Sequence, residues 1–184
     1  MLKKIIFSFF VVASFNLVSA QQNILLDWAK KIDEVGSYNE ILHPTIDKYD
    51  NVYLIGSYLD TVDVDLGSNQ LLLTNKYGAF FSKNDDSGNL LWVKSLEATG
   101  SAYKVKLNEI QVDNDGDVYI IGDYGGTMDF DPSSQLSVHK INGVRGSFIA
   151  KYDQNGNYLW SNVISSNGHA FAFDLEFDTQ GNVY

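Results

Sequence analysis

The chain has 184 residues, 23 acidic against 13 basic side chains for a net charge of −10, and a hydrophobic share of 45%. That share supports a packed core and excludes a disordered chain, while an acidic surface repels nucleic acid and anionic membranes. There is no cysteine, which excludes disulfide staples and a lipid-modified N-terminal cysteine, so this is not a lipoprotein and stability has to come from packing.

Residues 1–20 read as a signal peptide. Lys3 and Lys4 supply the basic start, and Ile5 to Leu17 form an apolar segment broken by Ser8, Ser14 and Asn16. Val18-Ser19-Ala20 then offers the small residues of a cleavage site after Ala20. The apolar segment is too short for a transmembrane helix, and no other run approaches spanning length. Cleavage removes two lysines and takes the net charge to −12. The address this implies is secretion or the outer cell surface.

A strand is predicted over 24–33, and it carries Trp28. All three tryptophans then fall in one register: Trp28, Trp92 and Trp160 lie 64 and 68 residues apart. The Val-Tyr steps ending at Tyr53, Tyr119 and Tyr184 are spaced by 66 and 65. Thr61-Val-Asp-Val-Asp65 returns as Thr127-Met-Asp-Phe-Asp131. Three landmarks on one beat mean a tandem array, and arrays fold by stacking copies of a unit.

The first unit covers about 40–98, the second about 105–165, and a third begins over 170–184. Between the first two, Asp47 meets Asp113, Tyr53 meets Tyr119, Gly56 meets Gly122, Asp85 meets Asp153, Gly88 meets Gly156 and Trp92 meets Trp160. Each unit therefore carries two Asp-x-x-Gly-Asn turns, in which Asp accepts from backbone amides ahead of it and Gly supplies the positive φ. Asp50 takes the glycine place in one copy, and Asp117 takes the asparagine place in another. The flanks are short, β-branched and aromatic, which is strand chemistry. In the second unit four strands are expected near Val105–Val112, Val118–Asp123, Phe148–Tyr152 and Tyr158–Ile164. A long connection over 125–146 holds a small ribbon at Leu136–Lys140, matched by Leu71–Asn75. The fold class this predicts is all-β: four-stranded antiparallel β-propeller blades with a period of about 66 residues, in a ring that three units, the last incomplete, do not close.

The segments Asp113 to Gly122, Gly126 to Pro132 and Phe148 to Trp160 resemble the repeat of the SBBP-type bacterial β-propeller proteins, which are secreted and common in Bacteroidetes-like bacteria. The resemblance runs from about Trp28 to Tyr184. The first copy departs from the pattern at Asp50, Leu66, Ser82 and Asn84. An incomplete third unit and an unclosed ring lead to the expectation of an N-terminal piece of a longer propeller. The remaining blades of the same chain would close the ring, and the 24–33 strand would serve as the outer strand of the closing blade.

Few residues carry chemistry. Asp63 and Asp65, and again Asp129 and Asp131, lie two apart in extended segments, which places their carboxylates on one face. They are candidate ligands for calcium, which takes hard oxygens; a solvated strand end and an Asp-Pro turn is the plainer reading. No other cofactor is expected. Asp113-Asn-Asp-Gly-Asp117 lacks the glycine and glutamate positions of an EF-hand and reads as a hairpin turn. His43, His139 and His169 stand at unrelated phases with no metal-ligand spacing. There is no Gly-x-Ser-x-Gly elbow and no phosphate loop. Trp28, Trp92, Trp160, Tyr53, Tyr119, Gly56, Gly122 and the turn residues Asp85, Gly88, Asp153 and Gly156 read as architecture, the indoles packing against the next blade. The expected function is a non-enzymatic scaffold binding an extracellular protein or glycan. The alternative is a polysaccharide lyase or hydrolase with its site in the propeller channel.

Overall fold

The computed structural model describes residues 3–7, 11–18, 23–31, 38–65, 67, 69–101, 105–165 and 167–184. Every regular element among them is a strand. The first three, β1 (Lys3–Phe7), β2 (Val11–Val18) and β3 (Asn23–Lys31), form an antiparallel sheet in chain order. Trp28 of β3 stands opposite Ser14, so the N-terminal strand takes β2 as its partner.

The two repeats that follow are the four-stranded antiparallel sheets of propeller blades. Blade one runs β4 (Tyr38–Ile46), β5 (Val52–Asp63), β6 (Leu72–Asn84), β7 (Leu90–Leu96), in that spatial order. The strand β8 (Ala98–Thr99) leads out of it. Blade two is built from β9 (Lys106–Val112), β10 (Val118–Tyr124), β13 (Gly146–Tyr152) and β14 (Tyr158–Ile164), with β11 (Thr127–Asp129) and β12 (Val138–Lys140) inserted between its second and third strands. The strand positions read from the spacing hold to within two residues. Register repeats as well as order. Tyr53 faces Lys83, which faces Trp92, and Tyr119 faces Lys151, which faces Trp160.

Alternation of side chains sorts the two faces of each sheet. Tyr53, Ile55, Ala79 and Phe81 leave blade one on its forward face and meet Val118, Ile120, Phe148, Ala150 and Tyr152 from the rear face of blade two. Tyr119 and Ile121, on the forward face of blade two, meet Leu175, Phe177 and Val183 at the start of the third unit. Both faces of β10 are therefore covered, and all seven of its residues are buried. The outer strand β14 is half exposed.

The long connection differs between the blades. In blade one the central hairpin continues: β5 and β6 stay paired as far as Asp63 and Leu72, with a register shift between Tyr58 and Asp60 and a left-handed Asp60 (φ 68°). In blade two the hairpin breaks at Gly126 (φ 79°), and β11 and β12 form a separate sheet with β8. Both versions fold back over their own blade. Val62 and Val64 cover Val52, Leu54, Tyr58 and Phe80, and at the matching positions Met128 and Phe130 lie with Tyr124 and Phe148.

Candidate functional site

The repeated residues build a strut. Asp47 Oδ1 accepts from the amides of Tyr49 and Asn51, both at 2.9 Å, and its Oδ2 accepts from Asn51 Nδ2 at 2.8 Å. The same three bonds recur at Asp153 and Asp178. At Asp85, too, both oxygens are taken by Ser87 and Asn89. Where Asp117 replaces asparagine that amide donor is lost, and Lys151 fills the gap by bridging Asp113 (3.5 Å) and Asp117 (2.8 Å). Burial pulls the Lys151 ammonium down, but its bonds to Asp117 and Tyr119 outweigh that and hold it above the ordinary lysine range. Its ammonium also lies 4.8 Å from the centre of the Tyr119 ring, as Lys83 lies 5.1 Å from that of Tyr53.

The indoles finish the strut. Trp92 meets Tyr53 edge-on at 6.1 Å, and Trp160 meets Tyr119 edge-on at 6.1 Å. Trp92 also reaches blade two: its Nε1 donates to the Gln154 carbonyl at 3.1 Å, and a Cβ at Gly156 (φ 75°) would sit 3.2 Å from its ring. Glycine at that turn thus serves both its backbone and the neighbouring indole. Same-phase residues of adjacent blades touch elsewhere too, as in the Lys48 Nζ bond to the Asn114 carbonyl at 2.8 Å, 66 residues apart. Gly56 and Gly122 are buried in the central strands, across from Phe80 and Phe148. For Trp28 the structure gives its place in β3 and its pairing with Ser14.

The paired aspartates are not side by side on one strand, a correction to the reading from spacing. Asp63 and Asp129 each end a strand, and the chain turns immediately after them. Asp129 Oδ1 accepts from the amides of Asp131 (3.1 Å) and Ser137 (2.8 Å), while Asp63 Oδ1 accepts from Asp65 (3.2 Å) and Leu71 (3.0 Å). Asp131 and Asp65 in turn accept from Ser133 and Gly67. The carboxylates close two equivalent ribbon loops, because a buried amide needs an acceptor and Asp at this offset supplies one. Among the described residues no three His, Asp or Glu side chains come together in a way that could hold a metal ion.

The histidines part company. His43 lies within β4, where the register with β5 shifts around Pro44. His169 is exposed and stacked on Phe171 at 5.8 Å. His139 is half-buried in β12 with Nε2 3.3 Å from Ser161 Oγ. From there a chain of hydroxyls runs on: Ser161 Oγ lies 2.9 Å from the Tyr158 hydroxyl, which accepts from Ser137 Oγ at 2.6 Å. Reading the sequence for motifs missed this chain. The repeat alignment holds its signal, since the matching residues of blade one are Leu73, Val93, Leu90 and Leu71. Tyr158 also lines a small cleft of about 180 Å³ between the blades, with Lys94 from blade one and Asp131, Pro132, Ser133, Gly156 and Asn157 from blade two. A second departure from the repeat is Asp123, buried on β10, which takes both Arg145 and Asn108; Asn108 also donates to the Ala172 carbonyl at 2.8 Å and so ties blade two to the third unit.

No family model matches the chain. It is 26% identical over 182 residues to an uncharacterised WD repeat-containing protein, L264, of Acanthamoeba polyphaga mimivirus, in a match covering 85% of this chain. The chain spans 13% of that relative's length. No helix among the described residues is long and apolar enough to cross a membrane. Tandem four-stranded blades with a repeating strut, together with the likeness to a repeat protein, make this a β-propeller-type repeat protein.

Proposed function

We propose that the chain is part of a secreted or surface-held propeller of the SBBP type, a non-enzymatic scaffold that binds an extracellular protein or glycan. One observation carries the reading. The residues shared by the two blades are spent on turns and inter-blade struts, whereas one set of polar residues peculiar to blade two, His139, Ser137 and Ser161, meets around Tyr158. Groups that depart from a repeat and still meet in space serve something other than the repeat, and rigid scaffolds carry their recognition groups in this way. The leader supports the address. Cleavage after Ala20 would strip β1 and β2 from the first sheet and leave β3 with an open edge, suited to a strand of a closing blade.

Two measurements test this. N-terminal sequencing of protein recovered outside the producing cell should begin at Gln21; retention inside the cell with Met1 in place would defeat the address. Screening the purified protein against glycans and extracellular proteins should give reversible binding with no change in the ligand. Cleavage of a bound polysaccharide would replace the scaffold with the enzyme.

A further inference from the structure

We propose that the cleft between blades one and two is a subsite for one neutral sugar ring of a glycan. The proposal rests on the binding-scaffold reading and gives it a place and a ligand class. Three features of the cleft point there. Its volume, about 180 Å³, is below the ~300–1,000 Å³ of pockets for drug-sized ligands and suits a single ring.

Its lining matches a polyol. Sugar hydroxyls both donate and accept, so they need carboxylate or amide oxygens beside an amine or hydroxyl. Asp131 and Asn157 offer acceptor oxygens, and Lys94 and Ser133 supply donors. Asn157 commits its Nδ2 to Asp153 at 2.8 Å, a bond that makes no use of its amide oxygen. Tyr158 adds an aromatic ring, the usual partner for the C–H face of a sugar, held edge-on to Tyr152 at 6.0 Å and fixed at its hydroxyl by Ser137 and Ser161.

The third feature is asymmetry. In blade one the residues matching Tyr158, Ser133 and Pro132 are Leu90, Gly67 and Leu66, so the aromatic and hydroxyl groups are not needed to fold a blade. The acidic balance of the chain, −10 overall, disfavours anionic sugars and leaves neutral ones.

The test is saturation-transfer NMR on the full chain with methyl glycosides of glucose, galactose, mannose and N-acetylglucosamine, followed by affinity measurements on oligomers of whichever responds. Tyr158→Leu installs the residue that blade one already carries, and Asp131→Asn keeps the oxygen that closes the ribbon loop. Each should weaken binding at least tenfold with little change in Tm, while Leu136→Ser, on the exposed ribbon, should leave it unaltered. Binding of a neutral glycan that both variants leave intact would overturn the subsite and spare the scaffold reading. A protein ligand with no sugar response would do the same. No ligand of either class would remove both.

Discussion

Single residues divide sharply by whether a neighbouring blade reaches them. Trp92 and Trp160 make the same contact with their own tyrosine, yet Trp92 is also roofed by the Gln154–Gly156 turn, and Trp160 is 37% exposed. Trp92→Ala should therefore cost about 2–4 kcal/mol, near the lower end for buried aromatics, and Trp160→Ala about 1 kcal/mol. Equal losses in denaturant titrations would mean that the inter-blade turn adds nothing. The ribbon aspartates make a second residue-scale case. Their Oδ1 atoms hold backbone amides at 2.8–3.2 Å, a role that needs no cation. We expect Tm to be the same in calcium and in chelator, and a calcium-dependent rise would return these oxygens to metal binding. A spacing of two shows which face a strand would present, not where the strand stops.

At the scale of elements, the Asp-x-x-Gly turn was fully legible in sequence, down to its exceptions. Asp50 takes the left-handed conformation (φ 65°) that Gly116 and Gly181 adopt at the matching places. These turns set the acid limb of stability. Burial pushes Asp47 and Asp153 up, but the bonds from Asn51 and Asn157 outweigh it; Asp178 is held down first by Asn182. All three lie below the ordinary 3.8. A carboxylate depressed in the fold adds stability that is complete above its unfolded value and drains away as pH falls through its folded one. Tm should decline from about pH 4 downward. The alkaline limb is set by buried phenols: burial lifts Tyr124 to about 12 and pushes Tyr53, Tyr58 and Tyr152 up. Their contribution is whole below the unfolded value of about 10 and is lost above it. A Tm profile flat between pH 2 and 4 would contradict the acid half. Less legible was the ribbon. Leu71–Asn75 and Leu136–Lys140 hold corresponding places between the second and third strands, but one continues a hairpin and the other leaves it at Gly126, where β8 is a new partner.

For the whole molecule, packing between blades ranks the strands. β10 is buried on both faces, and β14 is open along its outer edge. Amide exchange should be slowest in β10, with β14 exchanging measurably faster; the reverse order would mean that blade two does not sit between its neighbours.

The sequence by itself determined the period, the strands, the turns and the faces each strand presents, because those follow from local conformation and from alternation repeated in register. Only the tertiary structure decided which residues meet across blades: the roof over Trp92, the Asp123–Arg145 pair, and the cleft joining Lys94 to Tyr158. Those meetings depend on where one sheet comes to rest against the next, and no residue carries that distance in its own spacing.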